Sequence, residues 1–198
     1  CSLLANMGSD TSKSKKRATQ LTEEEIQLLL KNTRFNRKQI MEWHQGFLKD
    51  CPKGKLDKKK FIEVYKQFYP TGKADKFCSH VFKTFDTDNS GEIDFVEFLI
   101  AISVTSHGDI REKLNMAFNM YDIDKNGKVD AKEMEQIVTA IYDLLGEENR
   151  KGENSPSKRV EKIMNKLDLN GDHSLTKDEF INGCLQDDFL KNLLAPNA

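Results

Sequence analysis

Three stretches of twelve residues, 86–97, 122–133 and 168–179, carry oxygen-bearing side chains at the same offsets, and this repeat constrains the chain more than any other feature. The first reads D-T-D-N-S-G-E-I-D-F-V-E. It places side-chain oxygens at Asp86, Asp88 and Ser90, a glycine at Gly91, a backbone carbonyl at Glu92 and a closing carboxylate at Glu97. Calcium is a hard cation that takes about six to eight oxygens, and a short loop can wrap it only with donors spaced in this way around a sharp turn.

The second stretch supplies Asp122, Asp124, Asn126, the carbonyl of Lys128, and Glu133. The third supplies Asp168, Asn170, Asp172, the carbonyl of Ser174, and Glu179. Gly91 and Gly127 permit the positive φ required at the sixth position. His173 stands there in the third stretch, at a cost of about 1 kcal/mol, so weaker binding is expected in that loop. Ile93, Val129 and Leu175, at the eighth position, suit a short strand that pairs neighbouring loops. Asp94, Asp130 and Thr176, at the ninth, are expected to act through water. One acidic loop alone could be a solvated turn. Three in register, each followed by an apolar-rich helical pattern such as Phe95, Phe98, Leu99 and Ile102, identify the EF-hand calcium loop, with Ca2+ as the ion.

A damaged fourth copy lies at 49–60, with Leu56 at the eighth position. Lys49 replaces the first acid, Cys51 the second and Lys60 the bidentate Glu, while Pro52 fixes the backbone where the loop should curl. Lysine set against calcium predicts a non-binding hand, kept as the structural partner of the loop at Asp86.

The fold class expected is all-α, with four EF-hands in two pairs and short paired β-segments between loops. Helices are predicted over 22–31, 37–49, 58–68, 76–85, 95–105, 110–121, 131–145, 158–167 and 177–185, with a short last helix near 187–194. Residues 1–20 read as a flexible tail, 21–105 as an N-terminal pair and 106–198 as a C-terminal pair plus the terminal helix. Ser106, His107 and Gly108 read as a hinge between pairs that each bury their own core, and 146–157 as a mobile connector.

Several function classes are disfavoured. With 31 Lys+Arg against 32 Asp+Glu there is no general reason for nucleic-acid binding. Cys1, Cys51, Cys78 and Cys184 lack paired spacing, so reduced thiols are expected rather than a zinc site or disulfides. His44, His80, His107 and His173 lie in separate segments without a nucleophile motif or phosphate-binding loop, and no enzymatic activity is expected. No apolar run reaches the roughly 18 residues that span a bilayer, nor do the first residues form a secretory signal, so a cytoplasmic protein is expected.

The N-terminal pair carries more large apolar side chains than a small core requires: Phe35, Ile40, Trp43, Phe47, Leu48, Phe61, Val64, Tyr65, Phe68, Tyr69, Phe82 and Phe98. Part of this is core, and the surplus predicts a groove for an amphipathic target helix or a lipid chain. Met7-Gly8-Ser9-Asp10-Thr11-Ser12 fits the signal for N-myristoylation of Gly8, which requires that translation start at Met7. The basic cluster Lys13, Lys15, Lys16 and Arg17 would add the second, electrostatic signal that membrane contact needs.

These residues resemble the neuronal calcium sensor family, the group of recoverin, visinin, neurocalcin, hippocalcin and frequenin. The resemblance spans about 7–194 and is carried by W-H-Q-G-F-L-K-D-C-P at 43–52, by 62–70, by A-I-S-V-T-S at 101–106, and by Lys113-Leu114 followed by Ala117-Phe118. It implies a calcium-myristoyl switch, with the acyl chain held in the N-terminal groove and released to the cytoplasmic face of membranes when the ion binds. It also implies target recognition through that groove, at Phe35, Trp43, Phe47, Phe61, Val64, Tyr65, Phe68, Tyr69, Phe98 and Ile102. The chain departs from the family pattern at His173 and in the six residues before Met7. A calcium sensor regulating a membrane-associated protein is the leading expectation. A passive buffer, and a constitutive subunit of a phosphatase or channel complex, are the alternatives, and a hydrophobic-surface dye separates sensor from buffer.

Overall fold

Helix starts in this chain are written by short polar side chains. Thr22, Asn36, Asp94, Asp109, Asp130 and Thr176 each accept the backbone N–H three residues on, and Glu25, Gln39, Glu97, Glu112, Glu133 and Glu179 return the bond to the cap N–H. A computed structural model describes residues 19–66, 73–146, 150–188 and 190–191. Among them are nine α-helices: α1 Glu23–Asn32, α2 Arg37–Asp50, α3 Lys58–Lys66, α4 Asp75–Phe85, α5 Phe95–His107, α6 Ile110–Tyr121, α7 Ala131–Leu145, α8 Pro156–Leu167 and α9 Lys177–Gln186. Four three-residue strands, β1 Lys55–Asp57, β2 Glu92–Asp94, β3 Lys128–Asp130 and β4 Ser174–Thr176, form two antiparallel ribbons. The fold is all-α with four EF-hands in two pairs, as the repeat predicts.

The ribbons pair the loops through their eighth positions. Leu56 faces Ile93 in one and Val129 faces Leu175 in the other. All four side chains are buried, which fixes the register, because a one-residue slip would turn them to solvent. The first core gathers Leu29, Ile40, Phe82, Phe85, Ile93 and Leu99, and the second gathers Phe118, Tyr121, Ile137, Ile163, Leu175 and Phe180.

Three expectations change. The two pairs do not keep separate cores: α4 starts in the second core with Phe77 and Cys78 and ends in the first with Phe82 and Phe85. The segment 106–108 is not a three-residue hinge, since α5 runs through Ser106 to His107 and only Gly108 breaks it. A Cβ at Gly108 would lie 2.3 Å from the Val104 carbonyl oxygen, so the tight exit needs glycine. Asp109 then caps α6 at once.

The connector 146–157 is partly regular. Gly152–Asn154 is a 3-10 turn, and α8 begins at Pro156 because Ser155 caps it and proline at the first helical position has no N–H to satisfy. Residues 188, 190 and 191 are helical, and Asp187 accepts the Leu190 N–H at 3.1 Å. Residues 189 and 192–194 of the expected last helix lie outside the described residues, as do the tail 1–18 and the end of the helix expected to 68. No helix among the described residues is long and apolar enough to cross a membrane.

Candidate metal centre

The loops at 86–97 and 122–133 have nearly the same internal geometry. In each, the backbone is left-handed at the fourth and sixth positions: Asn89 and Gly91 at φ 55° and 83°, Lys125 and Gly127 at 61° and 85°. This curl turns consecutive amides onto the first carboxylate. Asp86 accepts the Ser90 and Gly91 N–H groups at 2.9 and 3.0 Å, and Asp122 accepts those of Asn126 and Gly127, both at 3.0 Å. The oxygens of Asp86, Asp88 and Glu97 fall within 4.8 Å of one another, and so do those of Asp122, Asp124 and Glu133. Three carboxylates converging in this way repel one another unless a cation sits among them, and their all-oxygen chemistry fits Ca2+. Ser90, Asn126 and the carbonyls of Glu92 and Lys128 stand at the intervening positions, where the repeat predicts further donors.

The closing glutamate joins loop to helix. Glu97 Oε1 accepts the Thr87 and Asp88 N–H groups at 2.8 and 3.2 Å, while Oε2 accepts that of Asp94 at 3.1 Å. Glu133 does the same with Ile123, Asp124 and Asp130. A carboxylate drawn toward an ion must therefore carry the first turn of α5 or α7 with it. The ninth-position residues have a role that the metal reading missed: Asp94 and Asp130 accept the Glu97 and Glu133 N–H groups at 2.9 and 2.8 Å. The D-x-x-E spacing of a capping box was legible for both.

The loop at 168–179 is looser. His173 takes the left-handed conformation at φ 61°, with Gly171 at 74°, and its N–H reaches Asp168 Oδ2 at 2.9 Å. The other Asp168 oxygen accepts from Gly171 rather than from the fifth position, as in the other loops. Glu179 Oε1 reaches Leu169 N–H at 3.3 Å. Asn170 and the Ser174 carbonyl occupy the third and seventh positions. Asp172 is held well below the usual carboxylate range, first by its ion pair with Lys128 and then by hydrogen bonds from Ser174. Lys128 belongs to the neighbouring loop and was not read from sequence as facing this one.

The damaged copy keeps the scaffold without the donors. Gly54 is left-handed at φ 74°, and Asp57 accepts the Lys60 N–H at 2.9 Å. Cys51, at the third position, is buried, and burial pushes its thiol up, away from the thiolate a metal would need.

The residues expected to line the groove divide. Phe35 and Phe47 are buried, Phe61, Tyr65, Phe98 and Ile102 are half-buried, and Trp43 and Val64 are 40% and 46% exposed. Trp43 touches Phe35 and Phe98 at ring separations of 5.9 and 6.2 Å, and Phe47 touches Phe98 at 5.1 Å. Phe61 and Tyr65 stack on each other and meet Phe82 and Phe77 of α4 edge-on and tilted instead. A groove lined by Phe35 and Phe47 therefore requires the first core to open. Phe68, Tyr69, Gly8, Lys13, Lys15, Lys16 and Arg17 lie outside the described residues.

Models of the EF-hand domain pair match residues 52–102 and 111–185. Human recoverin is 38% identical over 169 residues, covering 83% of this chain and 84% of its own. Neuronal calcium sensor 1 of Aplysia californica is 46% identical over 174 residues, with 87% and 91% covered, and S-modulin of Aquarana catesbeiana is 38% identical over 178, with 88% of each. The chain belongs to the neuronal calcium sensor family. It is a Ca2+-binding EF-hand protein, and the hand that carries Lys49, Cys51 and Lys60 at three donor positions still forms its helices and ribbon.

Proposed function

We propose that calcium enters loops 86–97 and 122–133 and, more weakly, 168–179, and that binding exposes an apolar groove which regulates a membrane-associated protein target. The observation that carries this reading is the matched pair of carboxylate triads, each closed by a glutamate that also forms the first turn of a helix. Ligands are Asp86, Asp88, Ser90, Glu92 and Glu97 in one loop and Asp122, Asp124, Asn126, Lys128 and Glu133 in the next. Asp168, Asn170, Asp172, Ser174 and Glu179 form the weakest set.

The groove opens where α2 and α5 now bury Phe35 and Phe47, and it receives an amphipathic helix on a surface that already presents Trp43 and Val64. Myristate on Gly8 and the basic cluster 13–17 supply membrane contact, with calcium releasing the acyl chain. Calorimetric ion counting on Glu97→Gln, Glu133→Gln and Glu179→Gln, with a hydrophobic-surface dye in parallel, tests the reading. Loss of one ion per substitution and a calcium-dependent dye signal are expected; an unchanged count or a silent dye contradicts it.

A further inference from the structure

In each EF-hand pair a lysine at the seventh position of the first loop reaches across the ribbon to the second loop, and the two lysines meet different groups. Lys55 Nζ lies 3.5 Å from Glu92 Oε2. Glu92 is itself a seventh position, where an EF-hand presents its backbone carbonyl, so its side chain is spare. Lys128 Nζ lies 2.8 Å from Asp172 Oδ2. Asp172 is a fifth position, where the side chain is the donor. Its other oxygen, Oδ1, accepts the Ser174 N–H at 3.0 Å and the Ser174 hydroxyl at 2.8 Å, so both oxygens are engaged. The strand register, Lys128 opposite Thr176, holds the lysine beside this loop. The fifth positions of the other two loops, Ser90 and Asn126, are uncharged and offer no such partner.

We infer that the Lys128 ammonium is a tethered competitor for calcium in the loop at 168–179. This deepens the proposed reading of that loop as an ion site and rests on it. A calcium ion that takes Asp172 must first displace a cation supplied by the adjacent hand, so the loop binds more weakly than its own donors dictate. The handicap is independent of His173, because it acts on a side chain and not on the backbone turn. Both side chains are partly exposed, so water and salt screen the pair and the effect is a few-fold one.

The sixth-position amides give one reporter per loop. Gly91, Gly127 and His173 donate to Asp86, Asp122 and Asp168 at 3.0, 3.0 and 2.9 Å, so their 1H–15N signals follow each loop separately. Calcium titrations of the full chain, Lys128→Met and Lys55→Met are compared. In Lys128→Met the His173 midpoint falls by about threefold, the size of a screened ion pair, and in Lys55→Met the Gly91 midpoint moves less. A His173 signal that answers calcium only in Lys128→Met supports the competitor most strongly. An unmoved His173 midpoint, or equal shifts in the two variants, overturns it while leaving the site reading intact. A His173 signal that ignores saturating calcium in every chain overturns both.

Discussion

The loops at 49–60 and 86–97 lie side by side in one ribbon, and one carries lysine and cysteine where the other gathers a carboxylate triad. Their backbones nevertheless agree. Both turn left-handed at the sixth position, at Gly54 and Gly91. Both bury an eighth-position side chain, and both cap the exiting helix with a ninth-position aspartate, Asp57 or Asp94. They differ at the first, third and twelfth positions, where Lys49, Cys51 and Lys60 stand in one loop and Asp86, Asp88 and Glu97 in the other. They also differ at the fourth, where Pro52 cannot take the left-handed turn of Asn89. The turn, strand and N-cap of the damaged hand thus stand without the three acids, and only the twelfth position serves both ends, since Glu97 also closes a capping box.

The strongest way to break this comparison is to attack the damaged loop's scaffold. Leu56→Ala removes a buried side chain from the ribbon and should cost about 3 kcal/mol in chemical denaturation, while also weakening calcium at the Gly91 reporter. Full stability would show that the damaged hand is dispensable. Next in size, Glu97→Gln keeps the cap geometry and removes one charged donor, so calcium at Gly91 should weaken on the order of 100-fold with unfolding nearly unchanged. A large loss of stability would mean that fold and ion positions are not separable.

The residue just before each loop sharpens the contrast between the pairs. Phe85 precedes Asp86, whereas the buried Tyr121 precedes Asp122 with a hydroxyl that finds no hydrogen-bond partner among the described residues. Tyr121→Phe should therefore stabilise the chain by about 1 kcal/mol, read as a raised denaturation midpoint. The smallest effect concerns pH. Burial lowers the pKa of His44, which meets Phe95 of the intact hand edge-on at 4.8 Å. The unfolded chain takes up this proton first, so stability falls as pH drops from about 6.5 to the lowered value and levels off below it. His44→Gln should flatten part of that slope in denaturation midpoints measured between pH 7 and 5.

The helices and loops were legible because the hands repeat the same local code: cap, apolar stripe, strand residue and, in all but the last, a turn glycine. Ile110–Tyr121 and Ala131–Leu145 match their expected bounds for this reason. The path of α4 between two cores was not legible, since Phe77 and Phe85 look alike in a helical stripe and only tertiary packing separates them. Lys128 was hidden for a similar reason. Its carbonyl belongs to one loop by spacing, whereas its ammonium reaches Asp172 only once the ribbon sets the register.

The most direct measurement of the sensor claim is a calcium titration followed at once by calorimetry and by emission of Trp43, the chain's single tryptophan, which sits in the damaged hand. Two or three ions bound together with a shift in Trp43 emission is the result predicted, because loops that lie elsewhere must open the surface around this side chain. The same ions bound with Trp43 silent would contradict it and mark a calcium buffer.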